Sequence, residues 1–122
     1  IIGAAIEVHK NLGAGLLESV YHECMKEELR LRKINFHIEK IVPIIYKGNQ
    51  LEANLRCDLY IENLIVVELK STVEMHKVFD SQILTYMNLL NAPKGILINF
   101  YCKNIFKEGQ KTFVNEIYRN LP

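Results

Sequence analysis

The sequence has no tryptophan, three prolines and three cysteines in 122 residues, and each shortage narrows what the chain can be. Cys24, Cys57 and Cys102 form an odd set without a C-x-x-C pair, which suits neither a disulfide framework nor a zinc knuckle; buried apolar thiols are expected. His9, His22, His37 and His76 are scattered, and His22 and Cys24, two apart on a helix, cannot easily share a metal, so no zinc site is expected. Repeats, low-complexity tracts and Pro/Gly/Ser-rich linkers are missing too. No apolar run approaches the roughly 18 to 20 residues that span a bilayer. The opening Ile1-Ile2-Gly3-Ala4-Ala5-Ile6 is cut by Glu7, His9 and Lys10, so neither a membrane span nor a signal peptide is expected. The start at Ile1 rather than methionine suggests part of a longer chain and leaves an upstream targeting segment open; cytoplasm is the default expectation. Charge of one sign is also lacking. Lys plus Arg number 15 against 14 for Asp plus Glu, a net charge of +1, so no global field draws in nucleic acid and any phosphate-binding surface must be local.

What is present suffices for a packed core: hydrophobic residues make up 49% and charged residues 24%, which excludes disorder and predicts one domain over residues 1–122. Ala4 to Leu12 reads as a helix and, after Gly13-Ala14-Gly15, Leu16 to Arg32 as a longer one. The Gly-Ala-Gly turn lacks the Lys-Ser/Thr of a phosphate loop and is read as a helix break. On the second helix Val20, Tyr21, Cys24, Met25, Leu29 and Leu31 share an apolar half, with Glu18 and Glu28 inside it. Tyr21 on that stripe is expected to be core.

Phe36 to Tyr46 reads as a strand, with Pro43 arguing for an edge position or a bulge, and Lys47-Gly48-Asn49-Gln50 as a hairpin turn. From Leu51 to Ile61 the chain alternates, with Cys57, Leu59 and Ile61 on one face and Arg56, Asp58 and Tyr60 on the other. Ile65 to Lys70 is a mostly apolar strand in which Glu68 and Lys70 share a face. If Glu62-Asn63-Leu64 is a three-residue loop, Ile61 pairs with Ile65 and Asp58 stands opposite Glu68, their Cβ atoms about 5 Å apart; a two-residue loop would separate the acids. Such closeness raises one pKa unless a cation intervenes. Met75 to Leu90 is the next helix, with Met75, Val78, Phe79, Ile83, Tyr86, Met87 and Leu90 as its buried stripe and Gln82 near the middle, an amide that needs polar partners. Gly95 to Phe100 is a buried strand, reached through a helix and therefore parallel to the one before; a further strand is expected around Thr112-Phe113-Val114.

The string Gly15-Leu16-Leu17-Glu18-Ser19-Val20-Tyr21 resembles the signature of the GxxExxY proteins, and the match continues through Asp58, Val67-Glu68-Leu69-Lys70, Gln82, Tyr86 and Asn99-Phe100. That family looks like a compact branch of the PD-(D/E)xK nuclease superfamily. The resemblance implies an α/β, restriction-endonuclease-like core: a central mixed β-sheet with an antiparallel hairpin, flanked by helices. It also implies Asp58 as metal-binding aspartate, Glu68 and Lys70 as the E-x-K acid and lysine, Glu18 as a further metal ligand or positioner, and Gln82 as the polar residue of the following helix. Cys57 stands where the superfamily often has proline.

Hard oxygen ligands suit Mg²⁺ or Mn²⁺. On this reading Asp58, Glu68 and Glu18 hold the ion, Lys70 orients water or stabilises negative charge, and Gln82 hydrogen-bonds a ligand carboxylate or water. Tyr86 supports Gln82 or contacts substrate, and Arg56 grips a phosphate. The expected activity is phosphodiester hydrolysis of DNA or RNA. A binding or regulatory module on the same scaffold, completed by a homodimer or a protein partner, is the alternative, and hydrolysis of another phosphorylated substrate a third.

Overall fold

A computed structural model describes residues 1–51 and 55–122. Helices α1 (Ile2–Leu12) and α2 (Glu18–Leu31) are followed by strands β1 (Phe36–Ile41), β2 (Ile44–Tyr46), β3 (Asn49–Leu51), β4 (Arg56–Ile61) and β5 (Ile65–Lys70). Helix α3 (Lys77–Leu89), strand β6 (Lys94–Asn99), a π-helical turn (Ile105–Gly109), strand β7 (Gln110–Val114) and the short helix α4 (Glu116–Arg119) complete the chain. The main sheet runs β1-β4-β5-β6-β7, and β2 and β3 form a separate hairpin. Among the described residues, β5 and β6 pair in parallel and the other neighbours in this sheet are antiparallel. The fold is therefore a mixed α/β sheet flanked by helices.

Two apolar layers sandwich the sheet. On one side Tyr21, Met25 and Leu29 of α2 and Ala4, Ala5 and Val8 of α1 pack on Leu59, Ile61, Val67, Leu69, Ile96 and Ile98. On the other, Ile83, Tyr86 and Met87 of α3 pack on Cys57, Tyr60, Val66 and Leu97. Gly95 is what lets α3 lie this close: a Cβ there would stand 2.6 Å from Met87 Sδ and 3.1 Å from Ile83 Cδ1.

Several local expectations are corrected. The expected strand from Phe36 to Tyr46 breaks after Ile41: β1 lies at the sheet edge, Val42 is buried and donates its N–H to Leu55 O at 2.8 Å, and Pro43, with no N–H, starts the turn away into the hairpin. The hairpin turn itself is Lys47-Gly48, both at positive φ (50° and 81°), with Tyr46 opposite Asn49. Part of the run from Leu51 to Ile61 falls on residues 52–54, outside the described residues. In β4 the alternation slips, because Cys57 joins Tyr60 in the α3 layer while Leu59 and Ile61 face α2. On the helices, Leu31 is 68% and Val78 64% exposed, and Met75 and Val20 are also exposed, so the apolar stripes are narrower than expected. Cys57 is buried, but Cys24 and Cys102 are only half-buried; all three are free thiols.

Tyr21 is core, as expected. Its ring stacks on Phe100 with centroids 4.3 Å apart, and its hydroxyl donates to Gly13 O at 2.6 Å and accepts the Leu16 N–H at 3.3 Å. It thus ties the turn entering α2, whose Gly13 and Gly15 sit at φ 72° and 96°, to the sheet. Tyr21→Phe is expected to lower stability by about 1 to 2 kcal/mol through the orphaned Gly13 carbonyl, and Tyr21→Ala by about 3 to 5 kcal/mol, in urea titrations monitored by circular dichroism.

Candidate active site

The site forms where β4 and β5 part. Their ladder has Ile61 opposite Ile65, so the three-residue loop is the one adopted, with Glu62 and Asn63 both at φ 54°. Pairing continues to Leu59 opposite Val67 and includes no Asp58–Glu68 pair. Instead Asp58 Oδ2 accepts the Leu69 N–H at 2.8 Å, which turns its carboxylate across the end of the ladder.

Glu68 follows from its strand. Val66, Val67 and Leu69 are buried around it, and its own residue is 5% exposed. Among the described residues its buried Oε1 has no hydrogen-bond partner. Burial first, then the negative charge of Asp58 and a hydrogen bond shared with that carboxyl, push Glu68 up to about 9, with Lys70 pulling weakly the other way. The Cys57 thiol is pushed up to about 12, mainly by burial and further by Glu68 and Asp58, so at neutral pH it is an uncharged apolar group.

The other expected residues divide between two sides. Glu18, the first residue of α2, is exposed; with Ser19, His22, Ile38 and Asp58 it lines a cleft of about 280 Å³. Lys70, Gln82 and Tyr86 line a groove of about 570 Å³ with Phe79, Val78 and Leu55. Lys70 Nζ sits 4.5 Å over the Phe79 ring rather than in an ion pair with Glu68, and Gln82 Nε2 donates to the Tyr86 hydroxyl at 3.0 Å. Arg56 is exposed at the start of β4, two residues before Asp58, and among the described residues it pairs with no carboxylate.

Two residues escaped the sequence reading. His22 Nε2 lies 3.6 Å from Asp58 Oδ2 and 3.8 Å from Glu18 Oε2, and among the described residues this buried nitrogen too has no hydrogen-bond partner. The signal was present as Glu18 and His22 four apart on one helix face. Asn99, noted only as part of the resemblance, is buried and holds the loop after β5: its Oδ1 accepts the N–H groups of Thr72 and Tyr101, both at 3.1 Å, and its Nδ2 donates to Thr72 O at 2.9 Å. Ser71 Oγ donates to Leu16 O at 2.7 Å, linking the end of the E-x-K strand to the start of α2. His9 Nε2 contacts Cys102 O at 2.9 Å.

A family model for the PD-(D/E)XK nuclease superfamily matches residues 1–113. The chain belongs to that superfamily. No curated protein and no solved structure matches it. Superfamily membership makes the function nuclease-like and the expected substrate a nucleic acid, and divalent metals are typical of these nucleases. Among the described residues no helix is long and apolar enough to cross a membrane.

The donor set fits a hard divalent cation. Among the described residues no three His, Cys, Asp or Glu side chains form a ready-made cage, but Mg²⁺ is ordinarily held by one or two carboxylates with water completing the shell. Asp58 and Glu68 are the two carboxylates here that could hold it, and Glu68 Oε1, without a hydrogen-bond partner among the described residues, is an acceptor open to a proton or a cation.

Without metal, the raised Glu68 ties folding to pH. Its folded value of about 9 exceeds the usual 4.5, so the stabilising protonated form is fully present below about 4.5 and is lost as pH rises through about 9. In EDTA, Tm is expected to fall across that window, Glu68→Gln to raise Tm at pH 8 and flatten the dependence, and Mg²⁺ or Mn²⁺ to restore Tm in the wild type alone.

Proposed function

We propose that this protein hydrolyses phosphodiester bonds of DNA or RNA with Mg²⁺ or Mn²⁺ held by Asp58 and Glu68. The supporting observation is the Glu68 carboxyl, buried in a central strand beside a second acid with one oxygen unpartnered. Two like charges placed there for stability alone would be costly, whereas a cation between them turns the repulsion into binding.

The bound ion would neutralise charge on the scissile phosphate and acidify a water. Asp58 is held for this task by the Leu69 N–H, which fixes one oxygen and leaves the other available. Lys70 shares the strand face of Glu68, and the Phe79 ring supports its ammonium; from there it orients the attacking water or stabilises negative charge developing on the phosphoryl oxygens. Gln82 donates to Tyr86, so the Tyr86 hydroxyl keeps its own proton to donate to a phosphate oxygen or water entering the groove. Glu18, at the mouth of the cleft, acts on the ion through water. Arg56, exposed on the same strand as Asp58, contacts the phosphate backbone away from the scissile bond.

Labelled single- and double-stranded DNA and RNA, incubated with Mg²⁺ or Mn²⁺, separate the substrate classes. Wild type is expected to cut at least one of them in a metal-dependent way. Glu68→Ala and Lys70→Ala, prepared identically and folded by circular dichroism, should each lose about 10²-fold or more. Equal cutting by wild type and Glu68→Ala, or none by either, would remove the nuclease assignment.

A further inference from the structure

The β2–β3 hairpin takes no part in the site described above, yet it leaves the sheet at the end where that site lies. β1 ends with Ile41 opposite Arg56, the first residue of β4, and β4 runs antiparallel to β5. The Ile41 end of β1, the Arg56 end of β4 and the Lys70 end of β5 are therefore at one end of the sheet. The hairpin departs there, just after Val42 donates to Leu55 O. Its surface is not that of a simple solvated turn. Ile45 is 64% and Tyr46 60% exposed, and Leu51 is exposed as well. A two-stranded hairpin alone is marginal in water, and large apolar side chains gathered on one mark a contact surface. From Lys40 to Leu51 the sequence has no acid, in contrast to the cleft at Asp58, which Glu18, Glu23 and Glu39 line. At the turn, Lys47 Nζ sits 5.5 Å over the Tyr46 ring, so an aromatic face and an ammonium are presented together.

We infer that this hairpin is a contact for single-stranded nucleic acid, in which Tyr46 stacks on an unpaired base and Lys47 meets a phosphate of the same strand. The inference rests on the proposed function, whose substrate class it narrows. Lys47 is the one charged residue from Ile44 to Leu51, and the whole chain carries only +1, so attraction to phosphates is too weak to hold a duplex. Affinity must then come from stacking and apolar contact. Every base offers a π-face, but a duplex hides those faces between neighbouring pairs, whereas a single strand exposes them. The tyrosine ring and the ammonium beside it match one nucleotide of such a strand: a flat apolar base and its anionic phosphate.

Because the chain has no tryptophan, Tyr46→Trp gives it a single indole at the stacking position. The variant is made together with Glu68→Gln, which under the proposed function does not cut. It is titrated in Mg²⁺ with DNA and RNA strands of about 12 nucleotides and with blunt duplexes of the same length. Single strands are expected to quench the indole, and duplexes to leave it unquenched. Anisotropy of labelled strands, again with Glu68→Gln, then reads affinity. Tyr46→Ala should weaken single-strand binding about fivefold or more, and Tyr46→Phe should stay within about twofold of the tyrosine. Lys47→Ala should lower the slope of log affinity against log salt by about 0.7. Circular dichroism checks each fold, and Tyr46→Thr replaces Tyr46→Ala if the latter does not fold. No quenching by any strand, equal binding of duplex and single strand, or unchanged binding in Tyr46→Ala would overturn the inference. So would indole emission that shifts with protein concentration alone, which would assign the hairpin to a second copy of the chain. Cutting of the same strands by wild type separates the two readings. Cutting without quenching removes the hairpin contact and leaves the proposed function standing, whereas quenching without cutting keeps the contact and removes the nuclease assignment.

Discussion

A carboxyl group set into the middle strand of a two-faced sheet is the constraint around which this molecule is arranged. Strand β5 is covered by α2 on one side and α3 on the other, and its neighbours Val66, Val67 and Leu69 are fully enclosed. An ionised Glu68 in that setting loses solvation that no hydrogen bond to Oε1 restores. A proton or a cation relieves it. The end of the β4–β5 ladder serves the same need: Asp58, freed from pairing, is brought to Glu68 and anchored by the Leu69 amide.

The residues around this point act as braces. Asn99 makes three hydrogen bonds to the chain on either side of it, fixing the loop that leaves Lys70; Ser71 ties that loop to Leu16, and Tyr21 ties the Leu16 turn to Gly13 and Phe100. A single path of short contacts therefore runs from the E-x-K strand to the first turn of α2. This accounts physically for the glycine and tyrosine of the G-x-x-E-x-x-Y string: the glycine supplies a left-handed turn at φ 96°, and the tyrosine fastens that turn, so that Glu18 and His22 enter the cleft at a fixed height above Asp58.

Much of this was legible in the sequence because it depends on parity and spacing. A three-residue loop after Ile61 dictates which residues stand opposite, and two-residue spacing places Glu68 and Lys70 on one face whatever surrounds them. The strand parallel to β5 followed from the intervening helix. What stayed hidden depends on features that hydrophobicity does not encode. The slip of β4 is invisible because both faces of the sheet are apolar, so Cys57 and Leu59 satisfy either side equally. Pro43 signalled a disturbance, but not that β2 would leave the main sheet altogether. His22 was weighed against cysteine at zinc spacing, when its partners are an acid on its own helix and another on a strand 36 positions away.

The two sides of the site have different physical characters, and this bears on how a substrate would approach. Around Asp58 the cleft is acidic, with Glu18, Glu23 and Glu39 near it and Lys26 paired to Glu23, so a bare phosphate diester would be repelled there. The groove beyond Glu68 is apolar, with the Lys70 ammonium over an aromatic ring and the Gln82–Tyr86 pair along its wall. With a net charge of only +1, long-range attraction cannot overcome the acidic side. Under the proposed function, cation binding must therefore precede substrate binding, because only the loaded site inverts the local field, and the lysine then meets the same phosphate from the opposite face. Under the proposed function, an acidic cleft that repels its substrate until a cation neutralises it makes metal occupancy the condition for both binding and chemistry.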